Sequence, residues 1–298
     1  MSSRAFIPLV SLVACAPVLP DDGGVVTAPR VLAVKAEPAE SKPNTAVTYT
    51  ALVAAPAGSE VDPALSWDFC TAPKPPTEDN AVSAACLGDG ALVPAGEGPE
   101  IDATTPREAC SLFGPDTPPG GFRPRDPDLT GGYYEPLRVD LAGAAPSFAL
   151  DRLRCDLGGA PADVATAFAN EYVPNDNPVL LPLSATLGGQ ATSLASVPAS
   201  AAVALVASWP PESAETYAYF DRSTELIVTR RESMRVGWYV TAGRLAETAT
   251  GVGEDDESST TTNTWTAPAT PGPNVLWLVL QDSRGGVDFA RYDVTVTP

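Results

Sequence analysis

The chain of 298 residues carries 37 Asp and Glu against 18 Lys and Arg, a net charge of -19, and no histidine. That balance excludes the basic face that nucleic-acid phosphates demand and opposes adhesion to an anionic bilayer by charge. Hydrophobic residues at 44% supply real cores and the length suits two domains, while 32 prolines and 24 glycines favour short strands and turns over long helices.

The amino terminus reads as an export signal. Arg4 gives a positive start and Ala5 to Val13 form an apolar run, far shorter than the ~20 residues that span a bilayer. Leu12, Val13, Ala14 and Cys15 then resemble the lipobox of bacterial lipoproteins. The resemblance implies cleavage after residue 14 and lipidation of Cys15, with several acyl chains giving durable anchoring where one is marginal. Ala16, not an aspartate, follows the cysteine, which leans towards the outer membrane. Residues 15–28 read as the lipidated cysteine and a flexible tether.

With Cys15 lipidated, Cys70, Cys86, Cys110 and Cys155 remain, an even set in an exported chain, and imply two disulfides. Three connectivities are open. Cys70 with Cys86 and Cys110 with Cys155 is favoured, because each closes a loop within one region.

Along residues 29–177, Arg30–Ala36 and Val47–Val53 read as strands, the second with the two-residue period of a half-buried strand. Leu65, Trp67 and Phe69 alternate likewise. A strand with an inward tryptophan suits the third strand of an immunoglobulin-like sandwich, although no cysteine precedes Trp67 in the mature domain. From 71 to 132 the pattern dissolves into proline, glycine and acidic residues around Cys86 and Cys110. A disordered linker is one reading, a disulfide-stapled insertion the other and favoured one. Strands resume at Tyr134–Leu141 and Phe148–Leu157, and residues 161–172 give one short helix with Val164 and Phe168 at helical spacing. VPNDNP marks the boundary, and a second sandwich fills residues 178–298. Its strands include Val203–Trp209, a hairpin around Asp221-Arg222-Ser223, the face of Val236, Trp238 and Val240, and two strands about the turn DSRGG. Trp67, Trp209, Trp238 and Trp277 read as core.

The run WYVTAG, TWTAPATPG, LWLVLQDSRGG and YDVTVT, over about the last 70 residues, resembles the bacterial immunoglobulin-like and PKD-like domains of surface proteins. The whole chain, with PRVLAVKAEP, GPEIDATTP, PRDPDLTGGYYEPLRV and NDNPVL, resembles outer-membrane lipoproteins of myxobacteria, mostly of unknown function. The expected fold is therefore all-β: two immunoglobulin-like β-sandwiches, the first with a long disulfide-stapled loop insertion and one short helix.

Chemistry is sparse. Without histidine the commonest general base and zinc ligand are missing, and GxSxG, SxxK, GxGxxG and P-loop motifs are all absent. Asp126, Asp128 and Thr130 alternate as at the start of a calcium loop, but Leu137 stands where the bidentate carboxylate is due and Pro127 interrupts the spacing. A turn is the plainer reading there, as an exposed loop is for Glu254–Glu257. Phe122, Tyr133 and Tyr134 are candidates for a stacking surface that takes sugar or peptide.

The expectation is a non-catalytic lipoprotein of the bacterial cell envelope, a binding, adhesion or spacer module with no cofactor. The alternative is a carbohydrate- or calcium-binding accessory subunit of a surface enzyme or adhesin system. The expected partners are the membrane, through the lipid on Cys15, and an envelope protein or polysaccharide, with no nucleic acid. The insertion from Thr71 to Tyr134 is the expected place of any binding site, because long ordered loops on a rigid scaffold concentrate function.

Overall fold

The computed structural model describes residues 23–56, 64–72, 82–112, 130–157, 160–221 and 223–298. The fold is all-β, built as two sandwiches. The first comprises β1 (Arg30–Glu37), β2 (Glu40–Ser41), β3 (Ala46–Ala54), β4 (Leu65–Cys70), β5 (Leu92–Glu97), β6 (Glu100–Thr104), the one-turn helix α1 (Ala109–Leu112), β7 (Gly132–Leu141) and β8 (Ser147–Arg154). Its sheets run β1-β3-β6 and β2-β8-β7-β4-β5. Alternation places Val47 and Tyr49 of β3, Ile101 and Ala103 of β6, and Trp67, Phe69, Leu137 and Val139 of the facing sheet in one core.

The stretch 71–132, expected as an insertion, is corrected in part: it contributes β5 and β6, which pair with β4 and β3 as sandwich strands. Their short lengths and the prolines and glycines within and between them (Pro94, Gly96, Gly98, Pro99) hide the two-residue period. Cys70 is bonded to Cys86 and Cys110 to Cys155. Both bridges join a satellite cluster with Ala109, Tyr133 and Leu153 beyond the main core.

Helix α2 (Ala162–Glu171) follows, and residues 173–183 lead into the second sandwich: β9 (Ser184–Leu187), β10 (Gln190–Ala191), β11 (Val197–Pro198), β12 (Ala202–Ser208), β13 (Thr216–Asp221), β14 (Leu226–Arg231), β15 (Met234–Val240), β16 (Arg244–Leu245), β17 (Ala249–Val252), β18 (Thr260–Thr266), β19 (Gly272–Asp282) and β20 (Val287–Thr297). Two five-stranded sheets, β10-β9-β12-β18-β16 and β11-β20-β19-β15-β17, close on a core that holds Trp209, Trp238 and Trp265. β13 and β14 form a separate hairpin.

The two sandwiches lie side by side, because β19 is apolar on both faces. Leu276, Leu278 and Leu280 enter the core of the second sandwich. Val275, Trp277 and Val279 face the other way and pack with Ala54, Ala33 and Leu52 of the first sandwich. Four sheets are thereby stacked face to face, with β1-β3-β6 and β11-β20-β19-β15-β17 in the middle. A strand buried on both faces reads as a continuous apolar run, which VLWLVL is.

Of the expected flexible tether, 15–28, only residues 23–28 are described, and the first of them are held in place. From Gly23 onward it is docked: Val240 N donates to Gly24 O at 2.8 Å, Val26 N donates to Val240 O at 2.8 Å, and Val26 is buried between the sandwiches. β17 pairs with β15 only from Met234 to Gly237. The remaining edge of β15 is left for Val25, which bridges Val240 in parallel.

Candidate functional site at the junction of the sandwiches

Two buried arginines organise the junction. Arg152, on the outward face of β8, donates from Nε to Glu40 at 2.7 Å, from Nη1 to the Tyr134 hydroxyl at 3.2 Å, and from Nη2 to Thr130 O at 3.1 Å. Tyr172, at the end of α2, and the Asn175 amide also donate to Glu40. Burial works against the Arg152 cation, but Tyr134, Tyr172 and Glu40 beside it raise its pKa above the usual arginine value. The Tyr134 hydroxyl donates across the junction to Arg284 O at 3.0 Å. Arg284 in turn donates to Glu232 at 2.7 Å, to Glu215 at 2.8 Å and to Val173 O at 2.8 Å. A continuous polar chain thus runs from Glu40 through Arg152, Tyr134 and Arg284 to Glu232, beside the apolar contact of the two middle sheets. Charge-assisted bonds of this kind are the strong ones, and breaking one strands a buried charge.

Glycine makes the close approaches. A Cβ on Gly132 would lie 2.2 Å from Arg152 Cζ, and one on Gly286 would lie 2.1 Å from Asp282 Oδ2. Asp282 accepts from the Arg284 and Gly286 amides at 2.8 and 2.9 Å and so shapes the turn that presents Arg284.

A second polar cluster lies inside the first sandwich. Glu135 of β7 stands opposite Asp151 of β8 in register, both buried. The Tyr49 hydroxyl, from the facing sheet, donates to Asp151 Oδ2 at 2.8 Å. Both Glu135 oxygens and Asp151 Oδ1 lack a donor. Burial, then the Asp151 charge, pushes the Glu135 carboxyl up to about 9. Burial pushes Asp151 up to about 7 against the pull of the Tyr49 hydrogen bond. Near neutral pH the pair therefore holds a proton, which supplies the missing donor.

The residues singled out from sequence fare differently. Cys15, Phe122, Asp126 and Asp128 lie outside the described residues. Tyr133 is buried in the satellite cluster, and Tyr134 is half-buried, with its hydroxyl engaged by Arg152 and the Arg284 carbonyl. Thr130 presents its carbonyl and hydroxyl oxygens to Arg152. Among the described residues no group of three His, Cys, Asp or Glu is placed to hold a metal. The acidic loop Glu254–Glu257 is held against the hairpin: Arg231 donates to Asp256 O at 2.6 Å, and Arg230 approaches Glu254 at 3.8 Å. Glu40, Glu135, Asp151, Arg152, Glu232 and Arg284 were not singled out. The pairs Gly131-Gly132 and Gly285-Gly286 were the signal for the arginines.

No family model and no curated protein matches the sequence. Among solved structures the chain is similar to the adhesin InvE of Yersinia pseudotuberculosis, at 11% identity and a TM-score of 0.24, over 89% of this chain and 58% of that one. It therefore spans less than two thirds of the adhesin chain. It is also similar to domains 4 and 5 of the S-layer protein SbsC, at 9% identity and a TM-score of 0.21, over 90% of this chain and 100% of that one. At such TM-scores neither likeness carries an argument about function. Among the described residues no helix is long and apolar enough to cross a membrane.

Proposed function

We propose that the chain is a lipid-anchored, non-catalytic module of the bacterial cell surface, held to the outer membrane through Cys15 and serving as a binding or spacer unit. The observation that carries the reading is the junction. Its buried charged residues are engaged with one another and with backbone groups, and they lock two sandwiches into one four-sheet stack, which is the chemistry of a scaffold. The leader ending in LVAC supports the anchor, and the absence of histidine and of nucleophile motifs supports a non-catalytic role. In cells fed labelled palmitate, the wild-type chain should take up label and sediment with membranes. Cys15→Ala should lose the label and move to the soluble fraction with an unchanged β-sheet spectrum. Membrane sedimentation of Cys15→Ala at the wild-type level would refute the anchor.

A further inference from the structure

The docked segment Gly23–Val26 has a consequence for how such a molecule stands on a bilayer. Gly24 sits against Leu245 and Thr248, at the end of the second sandwich where β15 finishes and β19 begins. The opposite end of the same sheet carries Asp282, Arg284 and the turn to β20. The eleven residues of β19 separate the two ends by about 35 Å at roughly 3.3 Å per residue. Gathered at that far end are the hairpin β13–β14, which meets α2, and both disulfides. The acidic loop joins them there, because Val252, which leads into it, pairs with Met234 at the start of β15.

We infer that the end bearing Gly24, Leu245 and Thr248 faces the bilayer and that the hairpin, α2 and the disulfide cluster point away from it. The inference rests on the proposed lipidation of Cys15. Eight residues from Cys15 to Gly23 reach at most about 26–29 Å, less than the length of the stack. Were the segment undocked as far as Arg30, fifteen residues would reach about 50 Å and either end could approach the lipid. Docking removes that slack. The net charge of -19 opposes laying a long face on an anionic leaflet, so the short strap holds the molecule by one end. The partner of the near end is thus a lipid surface, and the far end is left free for a partner in the surroundings.

The test uses the lipidated full-length chain in vesicles of phosphatidylethanolamine and phosphatidylglycerol that contain a spin-labelled lipid. A fluorophore is placed at Ala246→Cys near the strap, or at Thr224→Cys or Leu87→Cys at the far end, all exposed positions. Quenching at Ala246→Cys should exceed that at either far position at least threefold. Adding Val26→Asp, which undocks the strap, should reduce the ratio below 1.5. Equal or inverted quenching on lipidated, vesicle-bound protein would overturn the orientation alone, and so would a ratio that survives Val26→Asp. A wild-type chain that carries no lipid would overturn the anchor and the orientation with it.

Discussion

Replacing Glu135 with glutamine removes a charge that the first sandwich cannot solvate. Glu135 is fully buried, faces Asp151 across the β7–β8 pair, and has no donor on either oxygen. Its carboxyl is pushed from 4.5 to about 9, chiefly by burial, and that of Asp151 from 3.8 to about 7. In each case the folded pKa lies above the unfolded one, so the folded chain binds more protons. The contribution to stability is complete below about pH 4 and is lost progressively as pH rises from the unfolded values to the folded ones, that of Asp151 by about pH 7 and that of Glu135 by about pH 9. At about 1.4 kcal/mol per pKa unit, Glu135 alone sets a ceiling of roughly 6 kcal/mol. Water entry and relaxation around the ionised pair cut this to about 2–4 kcal/mol, or roughly 4–16 °C in Tm for a molecule of this size. Glu135→Gln is neutral at every pH, and its amide can donate to the free oxygen of Asp151. Calorimetric melting from pH 5.5 to 9 should show wild type falling throughout, most steeply below pH 7, and the variant levelling off above pH 7 after less than half that fall. Parallel curves for the two proteins would refute the buried-proton reasoning.

Arg284→Met leaves Glu232 buried without its cation and should cost about 3–5 kcal/mol in urea unfolding. Adding Glu232→Gln should recover more than half, and a single variant within about 1 kcal/mol of wild type would sink the role given to Arg284. Gly132→Ala places a methyl on the Arg152 guanidinium and should lower Tm by about 5 °C or more, with no further loss when combined with Arg152→Ala; additive losses would mean that Gly132 acts elsewhere. The Cys15→Ala chain should show no free thiol in denaturant without reductant, each bridge contributing about 2–4 kcal/mol, and one titratable thiol per chain would contradict the pairing.

Much of the fold was legible where apolar residues keep phase. Leu276, Leu278 and Leu280 announce one buried face of β19. Val275, Trp277 and Val279 announce a second, but a local pattern cannot name its partner, and so the sheet-on-sheet junction stayed hidden. β18, TTTNTWT, escaped because threonine serves either face, and only Asn263 and Trp265 are buried in it. The hold of Gly24–Val26 on β15 leaves no signal in sequence, because it comes from backbone groups, which every sequence has. Charged residues are harder to place, because polarity ordinarily goes with exposure. Yet Glu135 keeps phase with Tyr133, Leu137 and Val139, all buried, and Asp151 keeps phase with Leu153. A carboxylate in step with core residues on two adjacent strands is a sign that the sequence itself carries. Either the strand slips by one residue, which would turn its apolar set to solvent, or the acids go inside. The apolar set wins, since several buried side chains outweigh one neutralised carboxyl, and the proton that the acids then share follows from that choice.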